Sequence, residues 1–197
     1  MLKNVNSIPP DVLLAAYAGG YFPMADSHEG HIRWYSPDPR AIIPLETFKI
    51  SRSLRQTVKK EIFDIRWNTS FEEVIRACSE REETWISEDI IRSYLKLFDL
   101  GFAHSVESWK GGILAGGLYG VALGAAFFGE SMFSKQKNAS KVALVHLVER
   151  MRERGFELLD TQFLTSHLSR FGTVEITREE YLTKVKKSVQ KKRVLVG

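Results

Sequence analysis

The sequence predicts an α+β protein, in which a small irregular N-terminal part over residues 1–60 precedes a mostly antiparallel sheet with packed helices over residues 61–197. Three observations predict it. Ile62 to Trp67 alternates side chains in the period-two manner of a strand, and further short apolar runs follow Ala103. Two longer segments, beginning at Ser87 and near Ala139, carry apolar residues at helical spacing. Their order, with three hairpin-linked strands followed by a helix and another strand, suits a mostly antiparallel sheet covered by helices.

In chain order, Pro9-Pro10-Asp11 opens a helix over residues 9–20. Val12, Leu13, Ala16 and Tyr17 give its spacing, and Gly19-Gly20 stops it. Tyr21 to Met24 is an extended aromatic turn, and residues 25–31 are a polar loop. Pro37 and Pro39 forbid a helix before Arg40. Residues 41–45 read as a short strand, placed at an edge because Pro44 has no N–H for a ladder. Residues 51–60 are a helix with Ser51 or Ser53 as N-cap, Ser70 caps another over residues 71–79, and residues 80–84 are a charged loop. Ser87-Glu88-Asp89 opens a helix with Ile90, Ile91, Tyr94, Leu95 and Phe98 on its apolar face, ended by Gly101.

Strands are expected over His104 to Trp109, Ile113 to Tyr119 and Ala122 to Phe128, with a hairpin turn at Lys110-Gly111-Gly112. Residues 139–154 form a long helix capped by Asn138 or Ser140 and ended by Gly155. A strand over residues 156–160, a short helical piece over 166–171, a brief strand at 174–176 and a last helix capped by Thr177 complete the chain. Acyltransferases of the acetyltransferase superfamily have this arrangement, an analogy of fold that says nothing of substrate.

With 197 residues the chain is long enough to bury a real core, and 44% hydrophobic against 26% charged residues places it among soluble globular proteins. No apolar run approaches the ~18 residues of a membrane helix, and the first residues lack the apolar region of a signal peptide. Cys78 is the only cysteine, which excludes an internal disulfide and fits a reducing, cytoplasmic setting. The net charge of +4 is mild, but basic residues gather at the C-terminus (Lys184, Lys186, Lys187, Lys191, Lys192, Arg193) and at Arg52, Arg55, Lys59 and Lys60, as suits phosphate backbones.

Five glycines (Gly116, Gly117, Gly120, Gly124, Gly129) interrupt an apolar run that leads directly into Glu130. Glycine inside a strand marks a bulge, a bend or a close backbone approach, and a carboxylate beside buried strand residues is costly unless paired or used. Glu130 is expected just past the third strand, and Asp160 and Gln162 just past the strand after the long helix. If those strands are neighbours, the three open on one side of the sheet, where sheet-based sites collect.

These segments resemble a known family. Phe22-Pro23, Ser36-Pro37-Asp38-Pro39-Arg40, Ser51-Arg52-Ser53, Thr84-Trp85-Ile86, Gly116-Gly117-Leu118-Tyr119-Gly120, Gly129-Glu130-Ser131-Met132-Phe133-Ser134, Asn138-Ala139-Ser140-Lys141 and Asp160-Thr161-Gln162 are similar, in order, to motifs of the leucyl/phenylalanyl-tRNA–protein transferases. The resemblance runs from about Asp11 to Tyr181. It implies transfer of leucine or phenylalanine from aminoacyl-tRNA to the α-amino group of proteins beginning with Arg or Lys, marking them for degradation. It also implies an acetyltransferase-like C-terminal domain acting without metal, nucleotide or CoA; a monomer is expected.

The resemblance carries roles onto particular residues. Asp160 and Gln162 match a pair assigned to proton handling at the attacking amine, with Gln162 a poor base alone. Glu130 matches a carboxylate near the aminoacyl group, able to hold the donor's ammonium or the basic acceptor terminus. Leu118, Phe127, Leu147, Met151 and Leu159 match an amino-acid pocket, though apolar residues in such elements also serve as core. Trp85, Tyr17 and Tyr94 match positions around the terminal adenosine, and Met24 stands where some relatives have a tryptophan. An aromatic stacked on a base contributes about 1–3 kcal/mol. Ser131, Ser134 and Ser140 have no histidine near them in sequence, and His146 reads as a packing residue, which argues against a covalent serine mechanism.

Three other readings remain at this point. A CoA-dependent acetyltransferase needs a glycine-rich turn ahead of its helix, and residues 135–140 contain no glycine. A non-catalytic tRNA- or RNA-binding module would use the basic clusters but leave Glu130, Asp160 and Gln162 without a purpose. A transferase of the same chemistry could instead take acidic N-terminal acceptors.

Overall fold

A computed structural model describes residues 7–26, 30–80 and 84–197. Parts of the two loops read at 25–31 and 80–84 therefore lie outside the described residues. The elements in chain order are α1 (Pro10–Ala18), β1 (Phe22–Ala25), β2 (Ile32–Tyr35), β3 (Arg40–Ile43), α2 (Arg52–Lys59), β4 (Asp64–Trp67), α3 (Phe71–Ser79), α4 (Glu88–Asp99), β5 (Ala103–Lys110), β6 (Ile113–Leu123), β7 (Ala126–Ser134), α5 (Ala139–Glu153), β8 (Leu158–Gln162), β9 (Val174–Ile176) and α6 (Arg178–Val189). A 3-10 turn, Leu168–Phe171, precedes β9.

Among the described residues, seven strands form one sheet in the order β4-β5-β6-β7-β8-β3-β9, and β1 and β2 form a separate antiparallel ribbon. Every neighbouring pair in the large sheet is antiparallel except β7 and β8, which α5 joins as a parallel crossover. The α+β class and the mostly antiparallel sheet agree with the sequence reading. Helices cover both faces. Tyr119, Val121, Phe128 and Leu158 pack with α1, α3, α4 and α6, whereas Leu118, Phe127 and Leu159 pack with α2 and α5. A strand buried on both faces reads as a continuous apolar run, which is why β6 and β7 show little alternation.

Several expectations need correction. β3 is not an edge strand: it lies between β8 and β9, and Pro44 falls just beyond it, where no ladder bond is required. The turn between β6 and β7 is at Gly124 and not Gly120. Gly124 has φ +61 and lies against the end of α6, where a Cβ would come within 2.6 Å of Ser188 O. β7 therefore runs on to Ser134, and Glu130 sits inside the strand instead of past its end. β8 likewise extends through Gln162, so Asp160 and Gln162 belong to the strand. Ser70 and Asn138 make no side-chain cap bond. The turn before α3 is held instead by buried Glu107, whose Oε1 accepts the N–H groups of Thr69 and Ser70 at 2.9 Å each. Thr177 does cap α6, through a reciprocal capping box with Glu180.

Two irregularities in the sheet shape the site. Tyr119 pairs with Ser131 and Gly120 with Gly129, leaving Glu130 as an extra residue on β7. Ala41 pairs with Gln162 and Ile42 with Asp160, leaving Thr161 as an extra residue on β8. Each is a β-bulge, a device that re-aims a side chain beside a site. Gly120 permits the first one: a Cβ there would lie 2.3 Å from Phe128 O and 2.6 Å from the Phe127 ring.

Candidate functional site

The parallel strands β7 and β8 pair only from Ala126 to Phe128 against Leu158 to Asp160. Beyond that point they part, and a cleft of about 740 Å³ opens between them. Gly129 to Lys135 line it from β7, and Thr161, Gln162, Phe163 and Thr165 line it from the end of β8. One wall is apolar, made by Leu118, Phe127, Leu144, Leu147 and Leu159. Trp85 also lines the cleft, held near β1 by the Ala25 N–H to Trp85 carbonyl bond of 3.0 Å.

Glu130 lines this cleft and is 9% exposed. Its Oε1 accepts from the Tyr17 hydroxyl at 2.7 Å and from Gln162 Nε2 at 2.9 Å, and its Oε2 accepts from the Tyr94 hydroxyl at 2.9 Å. The Tyr17 and Tyr94 hydroxyls also bond each other. The three groups thus make a ring of three oxygen–oxygen contacts. Burial pushes the Glu130 carboxyl up to about 7, against the lowering effect of the two tyrosine bonds, with the Asp160 charge adding to the rise and Arg40 opposing it. Burial beside Glu130 holds both phenols well above their ordinary range, so they act as donors.

Asp160 is fully buried and has a different set of partners. Arg40 meets it with a two-pronged fork, Nε to Oδ1 at 2.9 Å and Nη2 to Oδ2 at 2.6 Å. Oδ2 also accepts from the Tyr181 hydroxyl at 2.8 Å, and Oδ1 from the Gln162 backbone N–H at 2.9 Å. Arg40 is 1% exposed; its Nη1 donates to Gly20 O at 3.2 Å, and its guanidinium lies 4.6 Å from the Phe22 ring centre and 4.4 Å from that of Tyr181. Burial opposes the Arg40 charge, but Asp160 more than offsets it and holds the group above its ordinary value.

The structure therefore brings Glu130 and Gln162 together at one hydrogen bond and joins Asp160 to Gln162 through the backbone. Leu118, Phe127, Leu147 and Leu159 line the cleft, whereas Met151 packs behind them in the α5 core. Tyr17 and Tyr94 are completely buried with their hydroxyls on Glu130, so neither ring offers a free face to a base. Trp85 lines the cleft, and Met24 packs half-buried on β1 near it. Ser134 donates its hydroxyl to Gln136 O, a bond unlike nucleophile activation. Sequence reasoning missed Arg40 and Tyr181 as partners of Asp160. The available signal was Arg40 itself, a charged residue opening the apolar run Ala41-Ile42-Ile43, which is costly to bury unpaired. No group of three or more His, Cys, Asp or Glu residues among those described is arranged to hold a metal ion.

The model of the family described as leucyl/phenylalanyl-tRNA protein transferase matches residues 42–186, and that of its N-terminal domain matches residues 6–38. Proteins named leucyl/phenylalanyl-tRNA–protein transferase are similar along nearly the full chain. The one from Paramagnetospirillum magneticum is 60% identical over 176 residues, covering 87% of this chain and 84% of that protein. Those from Gloeobacter violaceus and Herpetosiphon aurantiacus are each 54% identical, covering 91% and 93% of this chain and 93% and 95% of theirs. A solved structure, L-PGS from Bacillus licheniformis, aligns with a TM-score of 0.42 at 15% identity over 83% of this chain and 56% of that one, too distant to carry an argument. Together, the family models matching residues 42–186 and 6–38 and the relatives at 54–60% identity establish that the chain belongs to the leucyl/phenylalanyl-tRNA protein transferase family.

Proposed function

We propose that this chain transfers leucine or phenylalanine from aminoacyl-tRNA to the N-terminal α-amino group of a protein beginning with Arg or Lys. The observation that carries the site is the Glu130–Gln162 pair in the lining of a partly apolar cleft, in the gap where β7 and β8 part. The donor side chain enters between Leu118, Phe127, Leu147 and Leu159, and the terminal adenosine lies against Trp85 with Met24 nearby. An apolar pocket of this kind separates side chains by only about 1–3 kcal/mol per methylene, which accommodates both leucine and phenylalanine.

The aminoacyl ester is already activated, so the step needs no ATP. The acceptor nitrogen attacks the ester carbonyl carbon, the C–N bond forms, the C–O bond to the ribose breaks, and the ribose oxygen leaves with a proton. Gln162 donates its Nε2 hydrogen to Glu130, which leaves its carbonyl oxygen free to accept from the attacking N–H and fix its direction. The acceptor amine has a pKa of about 7.7–8.0. Glu130, raised to about 7, is well matched to exchange a proton with it. Its charge, once formed, also suits the cationic side chain of a basic acceptor.

The basic residues Arg52 and Arg55 on α2, with Lys110, Lys137, Lys141 and Arg170 around a second cleft of about 720 Å³, supply a track for the tRNA backbone. An acetyltransferase-like domain is part of this proposal, supported by the crossover of β7, α5 and β8 and the parting of its two strands. The start of α5 is poorly suited to cradle a pyrophosphate: the Lys135 and Gln136 N–H groups donate to Ala115 O, and that of Ser140 to Ser134 Oγ. No helix among the described residues is long and apolar enough to cross a membrane, and a cytoplasmic monomer is the setting proposed.

The test is transfer of radiolabelled leucine from leucyl-tRNA to a short peptide beginning with Arg, beside one beginning with Asp, without ATP or CoA. Label on the Arg peptide alone, lost in Glu130→Gln, is the expected result. Label on the Asp peptide overturns the acceptor assignment. Label on neither, with leucyl-tRNA still bound, replaces the transferase by an RNA-binding module.

A further inference from the structure

We propose that Arg40 is a positioning residue for the transfer, acting through Asp160 on Gln162, and that Asp160 itself never accepts the proton; this rests on the site assignment above. Asp160 receives four donors: Arg40 Nε and the Gln162 N–H at Oδ1, and Arg40 Nη2 and the Tyr181 hydroxyl at Oδ2. Two carboxylate oxygens have about four lone-pair directions between them, so none is left for a substrate proton. Its burial at 0% exposure and its absence from the cleft lining agree. What Asp160 does hold is Gln162. That residue stands at φ +66, in the left-handed region that a side-chain-bearing residue occupies only when its surroundings fix it, and its N–H is tied to Asp160 Oδ1. The bulge at Thr161 and this bond together aim the Gln162 amide at Glu130 Oε1.

Arg40 fixes Asp160 in turn. Its guanidinium is gripped from the opposite side by Gly20 O and sandwiched between the Phe22 and Tyr181 rings, so the fork has one orientation. The chain of command runs from the β1 entry and α6, through Arg40 and Asp160, to the amide that orients the acceptor amine.

The test compares wild type, Arg40→Met, Asp160→Asn and the double variant Arg40→Met/Asp160→Asn. The assay is leucine transfer from leucyl-tRNA to the Arg peptide, per folded molecule, well below each melting temperature. Arg40→Met is expected to lose about 100-fold in kcat, the scale of a misplaced reacting group, with the KM for leucyl-tRNA changed less than about threefold. The double variant removes both charges and keeps an Oδ1 acceptor for the Gln162 N–H, and should exceed each single variant by at least about tenfold. A double variant no better than Asp160→Asn overturns the proposal and returns the proton to Asp160. Full kcat per folded Arg40→Met molecule also overturns it, reducing Arg40 to a stabilising role. If Arg40→Met does not fold, the comparison of the double variant with Asp160→Asn decides alone. A wild type that binds leucyl-tRNA but transfers nothing is a failure of the functional reading and is seen before any variant is made.

Discussion

Glu130 and Asp160 are two buried carboxylates on adjacent strands, yet Asp160 is hydrogen-bonded to a guanidinium and Glu130 is not. Asp160 is forked by Arg40 in a closed network of donors. Glu130, held by two phenols and an amide, opens on the cleft and is poised at about 7. Charge partners favour the ionised form and burial disfavours it, so the same functional group becomes a strut in one pocket and a proton exchanger in the other. The difference is also one of geometry. Glu130 owes its aim to a bulge that needs a glycine across the strand, and Asp160 owes its fixity to a strand that enters the sheet from the other end of the sequence.

The comparison breaks most sharply at Glu130. Glu130→Gln keeps the shape and the contact with Gln162 but cannot exchange a proton, and transfer should fall by about 10²–10⁴-fold, the usual range for a general base. Leucyl-tRNA affinity should hold within a few-fold. A variant that keeps a tenth or more of wild-type kcat would assign the proton elsewhere.

Stability should respond in the opposite order. Removing one partner of a buried ion pair costs about 3–5 kcal/mol, so Arg40→Met should lower the unfolding free energy by that much in urea titration. Glu130→Gln should cost far less at pH 8, where the wild-type carboxyl is ionised in a site that disfavours its charge. Equal losses in the two variants would show that the pockets do not differ as described.

A pH titration sharpens this. The folded value for Glu130, about 7, lies above the ordinary 4.5. The stability linked to its proton is therefore fully present below about pH 4.5 and is lost as pH rises through 7, a swing of about 3 kcal/mol. Wild type should lose stability relative to Glu130→Gln between pH 5 and pH 8. A difference that stays flat across this window contradicts the assignment.

How much of this was legible in the sequence follows from the scale of each cause. Helices, the hairpin at Gly111 and the α+β class follow from periodicity and local turn chemistry, and they appear where spacing put them. The ends of β7 and β8 did not: both strands run further than their apolar residues do, through Ser134 and Gln162, with bulges at Glu130 and Thr161 that no local pattern marks. Glu130 and Gln162 were recognisable as polar residues following apolar strand sequence. The partners that divide the carboxylates into two roles were not, since Arg40 lies 120 residues from Asp160 and Tyr17 lies 113 from Glu130. Pairing at that range is decided by sheet order, which places β3 beside β8, and no local pattern states it.

The finest test exchanges single hydroxyls on either side. Tyr17→Phe and Tyr94→Phe each remove one donor to Glu130, and Tyr181→Phe removes one donor to Asp160. A hydrogen bond to a charged group contributes about 1.5–3 kcal/mol, and one pKa unit corresponds to about 1.4 kcal/mol. Losing a phenol removes an interaction that lowers the Glu130 value, so its titration should move up by about one unit. The acid limb of kcat/KM for leucine transfer should follow it toward higher pH. Tyr181→Phe leaves the Arg40 fork on Asp160 intact, and the limb should stay where it is while kcat changes little. A limb that moves equally in all three variants would mean that the two networks act as one unit, and one that moves only in Tyr181→Phe would exchange their roles.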